Sequence, residues 1–316
     1  MSLEAKVIAT IRIIQRNILL IRVASDQRMG QCRTSRNALS RIVTTNFPFP
    51  FVSLPSPVIV RAMKFFAVRI LVLLLAFQVT ALGRSNSVVN MSHYDLMNVD
   101  FNAMKREGIV GVIHEATYPP RVRDAYYGRR QTAATRAGLL WGAYHFANAT
   151  DPIRQAEHFL GVVESAYRGP ALQPDGVLLV LDFEKNGHYP GGTMRVDQAV
   201  TFVERIKQRT GKYPGLYGSE YRLQQVLHSP KVTEAQRRVL SNCWLWIANY
   251  HHVPRDTAPW RTWTMWQYTG DGVCDLPRAS YPKNIANIKN AARNMYRGDR
   301  ASLVAFWQEH AWRPTE

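Results

Sequence analysis

The stretch Gly176-Val-Leu-Leu-Val-Leu-Asp-Phe-Glu184 constrains the fold of this chain more than any other. It is a short Val/Leu run fenced by Pro174 and Gly176. Such a run reads as a strand buried on both faces, the kind that parallel sheets contain. Asp182 and Glu184 close it. Two residues apart on a strand, their side chains point the same way, with Cα atoms roughly 6.5 Å apart. A carboxylate suits a buried strand only where it is partnered or where the strand ends. In α/β barrels and open α/β sheets, the C-terminal strand ends carry the chemistry. Paired carboxylates there point to acid–base work, with glycoside hydrolysis first among two-carboxylate reactions. The plainer alternative is a capped strand end with one salt bridge.

The chain around this stretch divides by charge. Through Gly83 there are 11 Lys/Arg against two acids, Glu4 and Asp26, so +9 of the total +17 arises there. The high overall charge is therefore a poor argument for nucleic-acid binding. The remaining +8 suits either an anionic wall surface or an ordinary solvated one. Residues 47–57 are too rich in proline for a helix or a central strand. Met63 then opens a new pattern: Lys64 and Arg69, an apolar core from Ile70 to Phe77, and Ala81-Leu82-Gly83 as a cleavage site. Residues 63–83 read as a secretory signal peptide, with a core too short to favour a membrane span.

A signal peptide works at an N-terminus, so Met63 is read as the start of the exported protein. Residues 1–62 become an upstream extension or a poorly folded leader. Ile11 to Val23, interrupted by Arg12, Arg16 and Arg22, has a basic amphipathic helix as its alternative reading. Residues 84–316 are then a single catalytic domain destined for the periplasm or the exterior, ample for one α/β fold. Within them, a disulfide between Cys243 and Cys274 suits an oxidising compartment. No Cys/His spacing resembles a zinc site, and no phosphate-cradling glycine motif occurs, so neither metal nor cofactor is expected.

Strand-like and helix-like stretches alternate through this part. Val88–Ser92, Ile109–Ala116, Leu139–Phe146 and Val177–Phe183 read as strands one to four. Gly215–Gly218, Trp244–Ala248 and Thr262–Tyr268 follow as three more. Helices are expected over Val99–Glu107, Arg123–Ala137, a segment capped by Asp151, and Arg195–Arg209, with Gly138 and Gly211 as stops. The segment from Ile285 to Trp312 reads as largely helical, with Leu303, Phe306 and Trp307 as its apolar face, closing the bottom or side of the fold. This order predicts a mostly parallel sheet closed into an incomplete or irregular (β/α) barrel, TIM-barrel-like.

The strand ends gather polar and aromatic groups at one rim. They are Asn90, Ser92, His93 and Tyr94 after strand one, Tyr144 and His145 on strand three, and Asp182 and Glu184 on strand four. Tyr217, Trp246, Asn249, Tyr250, Trp266, Gln267 and Tyr268 come from the later strands. Aromatic faces stack on the apolar faces of sugar rings, and amide and phenol groups hydrogen-bond hydroxyl and acetamido groups. The set therefore reads as a carbohydrate cleft. His93 and His145 have no carboxylate at metal-ligand spacing and read as polar or substrate-contact histidines.

Six motifs, in order, make the resemblance specific. They are Ser92-His93-Tyr94, Gly142-Ala-Tyr-His-Phe146, Leu181-Asp-Phe-Glu184, Pro214-Gly-Leu-Tyr217, Leu245-Trp-Ile-Ala248 with Tyr250, and Trp266-Gln-Tyr-Thr269. Residues 88–314 resemble the glycoside hydrolase family 25 lysozymes, the Chalaropsis-type muramidases. The resemblance implies an incomplete α/β barrel that hydrolyses the β-1,4 bond between N-acetylmuramic acid and N-acetylglucosamine in peptidoglycan glycan strands. A monomer is expected. Glu184 matches the family's general acid. Asp182 matches the carboxylate that positions or stabilises the reacting muramyl unit.

Three departures accompany the match. The family carries aspartate where this chain has Asn90, and aspartate in a C-terminal motif whose match here places Ala292. Asp271 and Asp275 are the acids available to fill that second role from another direction. His114 stands where the family often has lysine. The resemblance therefore implies an active muramidase with altered rate or specificity. A degenerate peptidoglycan-binding module and a hydrolase of a related amino-sugar polymer such as chitin are the alternatives.

Overall fold

The computed structural model of the protein describes residues 84–169 and 172–314. The expected extension 1–62 and signal peptide 63–83 lie outside the described residues. The elements are β1 (Ser85–Met91), α1 (Phe101–Arg106), β2 (Gly111–Tyr118), β3 (Val122–Arg123), α2 (Tyr127–Arg136), β4 (Leu140–Phe146) and α3 (Pro152–Arg168). They continue as β5 (Val177–Asp182), α4 (Val196–Thr210), β6 (Gly215–Ser219), α5 (Glu220–Leu227), α6 (Glu234–Leu240), β7 (Trp244–Ala248), β8 (Met265–Thr269), β9 (Ala292–Tyr296) and α7 (Arg300–His310).

Eight strands form a ring in the order β1-β9-β8-β7-β6-β5-β4-β2, closed by the parallel pair β1–β2. The ring is the irregular (β/α) barrel that the alternation predicts. Its irregularity is β9, which runs antiparallel to both β1 and β8. The two-residue β3 hangs antiparallel on β2 outside the ring.

Local chemistry sets the helix ends. Asp151 accepts from the backbone N–H groups of Ile153 and Arg154, with Pro152 in the first turn, and this ties down otherwise orphaned donors. Gly211 ends α4 at φ 73°, a left-handed stop that glycine adopts without strain. On α3 the side chains of Ala156, Phe159, Leu160 and Val163 are buried, whereas Ile153 stands in solvent.

Strand alternation splits the core in two. Val88, Ile113, Tyr144, Leu178, Val180, Trp246 and Met265 fill the barrel interior. Val89, Val112, Leu179, Leu181 and Ile247 face outward under the helices. Both β5 faces are thus apolar until Asp182.

The C-terminal segment corrects the helical expectation. Residues 292–296 form β9, and only Arg300–His310 is helical. Ala, Arg and Met carry good helix propensity, but pairing on both edges overrides it. The helix α7 closes the bottom of the barrel. Its Trp307 ring lies under Gly111 at the start of β2 and donates Nε1–H to the Trp141 carbonyl at 2.9 Å. Phe306 meets Trp244 edge-on, with ring centroids 5.4 Å apart. A Cβ on Gly111 would stand 2.6 Å from the indole, so this close approach requires glycine. Cys243 and Cys274 are both free thiols, so the disulfide expectation fails. Among the described residues no helix is long and apolar enough to cross a membrane.

Candidate active site

The open end of the barrel holds a cleft of about 570 Å³. Asp182, the last inward residue of β5, is 7% exposed on its floor. Glu184, two residues on, is half-buried on the same wall. The Glu184 backbone N–H donates to Asp182 Oδ1 at 3.2 Å, which fixes the turn between them. The Ser219 backbone N–H donates to Glu184 Oε1, and its hydroxyl lies 3.4 Å from Oε2. Ser219 also caps α5, so the carboxylate sits at a helix N-terminus, where negative charge is favoured.

Burial raises the Asp182 carboxyl well above its ordinary value, the neighbouring Glu184 charge raises it further, and the Glu184 backbone N–H opposes both. The fold thus pushes the Asp182 carboxyl toward its protonated form.

Most residues read from the sequence reach this cleft. Asn90, Ser92 and Tyr94 line it from the β1 end, Tyr144 from β4, and Tyr217, Trp246, Tyr250 and Gln267 from the other side. A hydrogen-bond chain crosses the floor. Trp246 Nε1–H donates to Asn294 Oδ1 at 2.7 Å, and Asn294 Nδ2 donates to Asn90 Oδ1 at 3.0 Å. Tyr217 donates its hydroxyl proton to Gln267 Oε1. Asn249 lines an adjoining depression of about 410 Å³ that shares Glu184, Tyr217, Tyr250 and Asp271 with the main cleft.

Four residues lie elsewhere. His145, Trp266 and Tyr268 each neighbour an inward residue on their strand, so alternation turns them to the outer face. His145 stacks on Phe202 and bonds Thr117 and Gln155, and burial lowers its pKa to about 4. Trp266 donates to the Asn249 carbonyl at 2.8 Å, and Tyr268 donates to that of Pro282 at 2.8 Å. His93 stands behind the wall, stacked on Tyr118 with ring centroids 4.3 Å apart.

His93 also has the carboxylate partner that sequence spacing did not show. Its Nδ1 pairs with Glu115 Oε2, and this bond raises the His93 pKa. Glu115 lines the cleft from the inner face of β2, and no motif flagged it. Its only signal was an acid inside an apolar strand pattern. His114, expected at the family's lysine position, is the outward neighbour. It donates Nδ1–H to the Glu115 carbonyl at 2.7 Å and accepts from Arg130 at 2.9 Å. Burial lowers its pKa to about 3.

Tyr189, on the loop after β5, was also missed. Its hydroxyl contacts Tyr94 Oη at 3.0 Å and His93 Nε2 at 3.3 Å. Of the two acids proposed to replace a C-terminal aspartate, Asp271 lines the cleft and Asp275 pairs with His251. Ala292 lies in the cleft directly opposite Asn90 in the β1–β9 register.

One group of side chains has ligand spacing. His93, Glu115 and Asp124 hold potential ligand atoms within 4.8 Å of one another. The His93–Glu115 ion pair and the Arg130 charge acting on Asp124 already balance them, so the set works as an ion-pair network.

Residues 89–275 match the family described as glycosyl hydrolases family 25. The chain belongs to this family. It is therefore a glycoside hydrolase, with its two strand-end carboxylates in the cleft that the fold builds. The chain is 26% identical over 232 residues to lysozyme M1 of Streptomyces globisporus, 69% of each chain. It is 28% identical over 130 residues to the N,O-diacetylmuramidase of Arthroderma benhamiae, spanning 39% of this chain and about half (53%) of that one. The fold is shared with a bacterial lysozyme from Streptomyces coelicolor, at TM-score 0.55 and 23% identity over 73% of this chain and all of that one. A family GH25 lysozyme from Aspergillus fumigatus shares it at TM-score 0.53 and 23% identity, again over 73% of this chain and all of that one.

Proposed function

We propose that this glycoside hydrolase is an exported muramidase that cleaves the β-1,4 bond between N-acetylmuramic acid and N-acetylglucosamine in peptidoglycan. The observation that carries the reading is the placement of Asp182 and Glu184 on one wall of an aromatic-lined cleft, one buried and one half-open. The named relatives, a lysozyme and a muramidase, support the substrate class.

Glu184 faces the glycosidic oxygen and gives it a proton as the C1–O bond breaks. Water then supplies the hydroxyl at C1, and its second proton returns to a carboxylate. Asp182 lies under the reacting ring and orients it. Asn90, Gln267 and Tyr217 supply polar contacts to the sugar substituents, and Tyr144, Trp246 and Tyr250 supply apolar faces. Residues 63–83 direct the chain to the periplasm or beyond.

The test is digestion of purified peptidoglycan with mass spectrometry of the soluble products. Fragments ending in reducing N-acetylmuramic acid are expected from the native chain. Their loss in Glu184→Gln is expected at about 10²–10⁴-fold, the range for a removed general acid. Full activity in that variant, or wall binding without products at every pH from 4 to 8, refutes the assignment.

A further inference from the structure

We propose that Glu115 is a third functional carboxylate of this cleft. Its negative charge, oriented by His93, stabilises the positive charge that develops at the anomeric carbon of the sugar held against Asp182 and Glu184. The inference rests on the hydrolase reading of that pair.

Three observations carry it. First, Glu115 is aimed at the reaction. Ile113 packs in the barrel interior, and Glu115, two residues nearer the open end on the same face of β2, lines the cleft while only 2% exposed. Second, its protein contacts leave capacity for work. Every hydrogen bond that its carboxylate accepts among the described residues comes from His93 and reaches Oε2. A carboxylate held in a low-dielectric wall for structure alone is expensive unless both oxygens are served.

Third, the neighbouring wall is uncharged. On β1 and β9 the facing residues are Asn90 and Ala292, paired in register, and Asn90 accepts from the neutral Asn294 amide. Glu115 thus carries the charge of the β9-β1-β2 sector. The other cleft carboxylates outside the Asp182/Glu184 pair, Asp95 and Asp271, lie on loops at the rim. Asp95 is engaged in capping the Ser92 turn, accepting from its backbone N–H at 2.8 Å.

His93 holds the group in place. Its ring is clamped on Tyr118, and its far nitrogen meets the Tyr189 hydroxyl at 3.3 Å. The Glu115 carboxylate therefore needs little reorganisation when charge develops at the sugar. That condition makes such a group effective in a water-poor site.

The test compares native chain, Glu184→Gln, Glu115→Gln, Glu115→Asp and the double variant Glu115→Gln/Asn90→Asp on solubilised glycan strands, with kcat, KM and melting temperature for each. Glu115→Gln keeps shape and an acceptor for His93. Its kcat is expected to fall about 10–100-fold with KM within threefold, less than a full oxyanion-hole donor because the imidazolium offsets part of the charge. Glu115→Asp is expected to retain at least three times the kcat of Glu115→Gln. Restoring a charge next door, in the double variant, is expected to recover at least threefold.

A melting loss in Glu115→Gln with kcat within twofold of native makes Glu115 structural and overturns the inference, while an inactive Glu184→Gln keeps the hydrolase reading. A fall in kcat that neither Glu115→Asp nor the double variant relieves also overturns it. A native chain without products, equal to Glu184→Gln, removes both readings together.

Discussion

Asp182→Asn is expected to abolish useful turnover while stabilising the protein, and the gain should grow with pH. Burial raises the folded-state pKa of Asp182 above its ordinary value near 3.8. Between those two values the native state holds a proton that the unfolded chain has released. Native stability therefore falls as pH rises through that window and levels above it. One proton of difference sets a slope of at most about 1.4 kcal/mol per pH unit. For a domain of this size each kcal/mol moves the melting temperature by about 2–4 °C.

The asparagine does not titrate, yet it keeps the Oδ1 that accepts from the Glu184 N–H at 3.2 Å. Melting curves of both proteins from pH 3.5 to 8 should coincide at the acid end and separate by about 3–5 °C per pH unit within the window. Because the two proteins differ at this one side chain, the difference isolates Asp182. A gap that stays constant with pH, or a native chain more stable than the variant at pH 7, would refute the reasoning.

Two further outcomes are expected. In Gly215→Ala the new Cβ would stand 2.4 Å from the Trp244 ring. Overpacking of about 1–3 kcal/mol should lower the melting temperature by about 2–12 °C in calorimetry; an unchanged value would mean that the ring shifts freely. Tyr189→Phe removes the hydroxyl that joins Tyr94 and His93. Loss of that link loosens His93 and with it Glu115, so kcat on glycan strands should fall by about 2–10-fold with a smaller effect on KM, and steady-state kinetics with the opposite split would exclude this positioning role.

Much was legible before any fold was seen. The Val/Leu run ending in Asp182 and Glu184 fixed a buried strand and the face its acids share, because strand periodicity is local. The repeated strand–helix order fixed a barrel, because each amphipathic unit has few ways to bury both faces. Asp151, Gly138 and Gly211 marked helix ends through short-range hydrogen bonding and backbone freedom.

What failed was whatever depended on partners distant in the chain. Residues 292–296 became a strand only because β1 and β8 offer open edges on both sides. His145, Trp266 and Tyr268 were grouped with the rim because their neighbours belong there, and the pleat sends them to the opposite face. Cys243 and Cys274 share only their residue type, and their thiols remain apart. Glu115 became a cleft residue, and His93 its partner, when β1 and β2 paired side by side in the ring. Sequence thus determined which strand carries the acid pair, since spacing along a backbone is covalent. The third carboxylate in its wall, and the burial that raises the Asp182 pKa, follow from which strands close the barrel, and only the tertiary structure decides that.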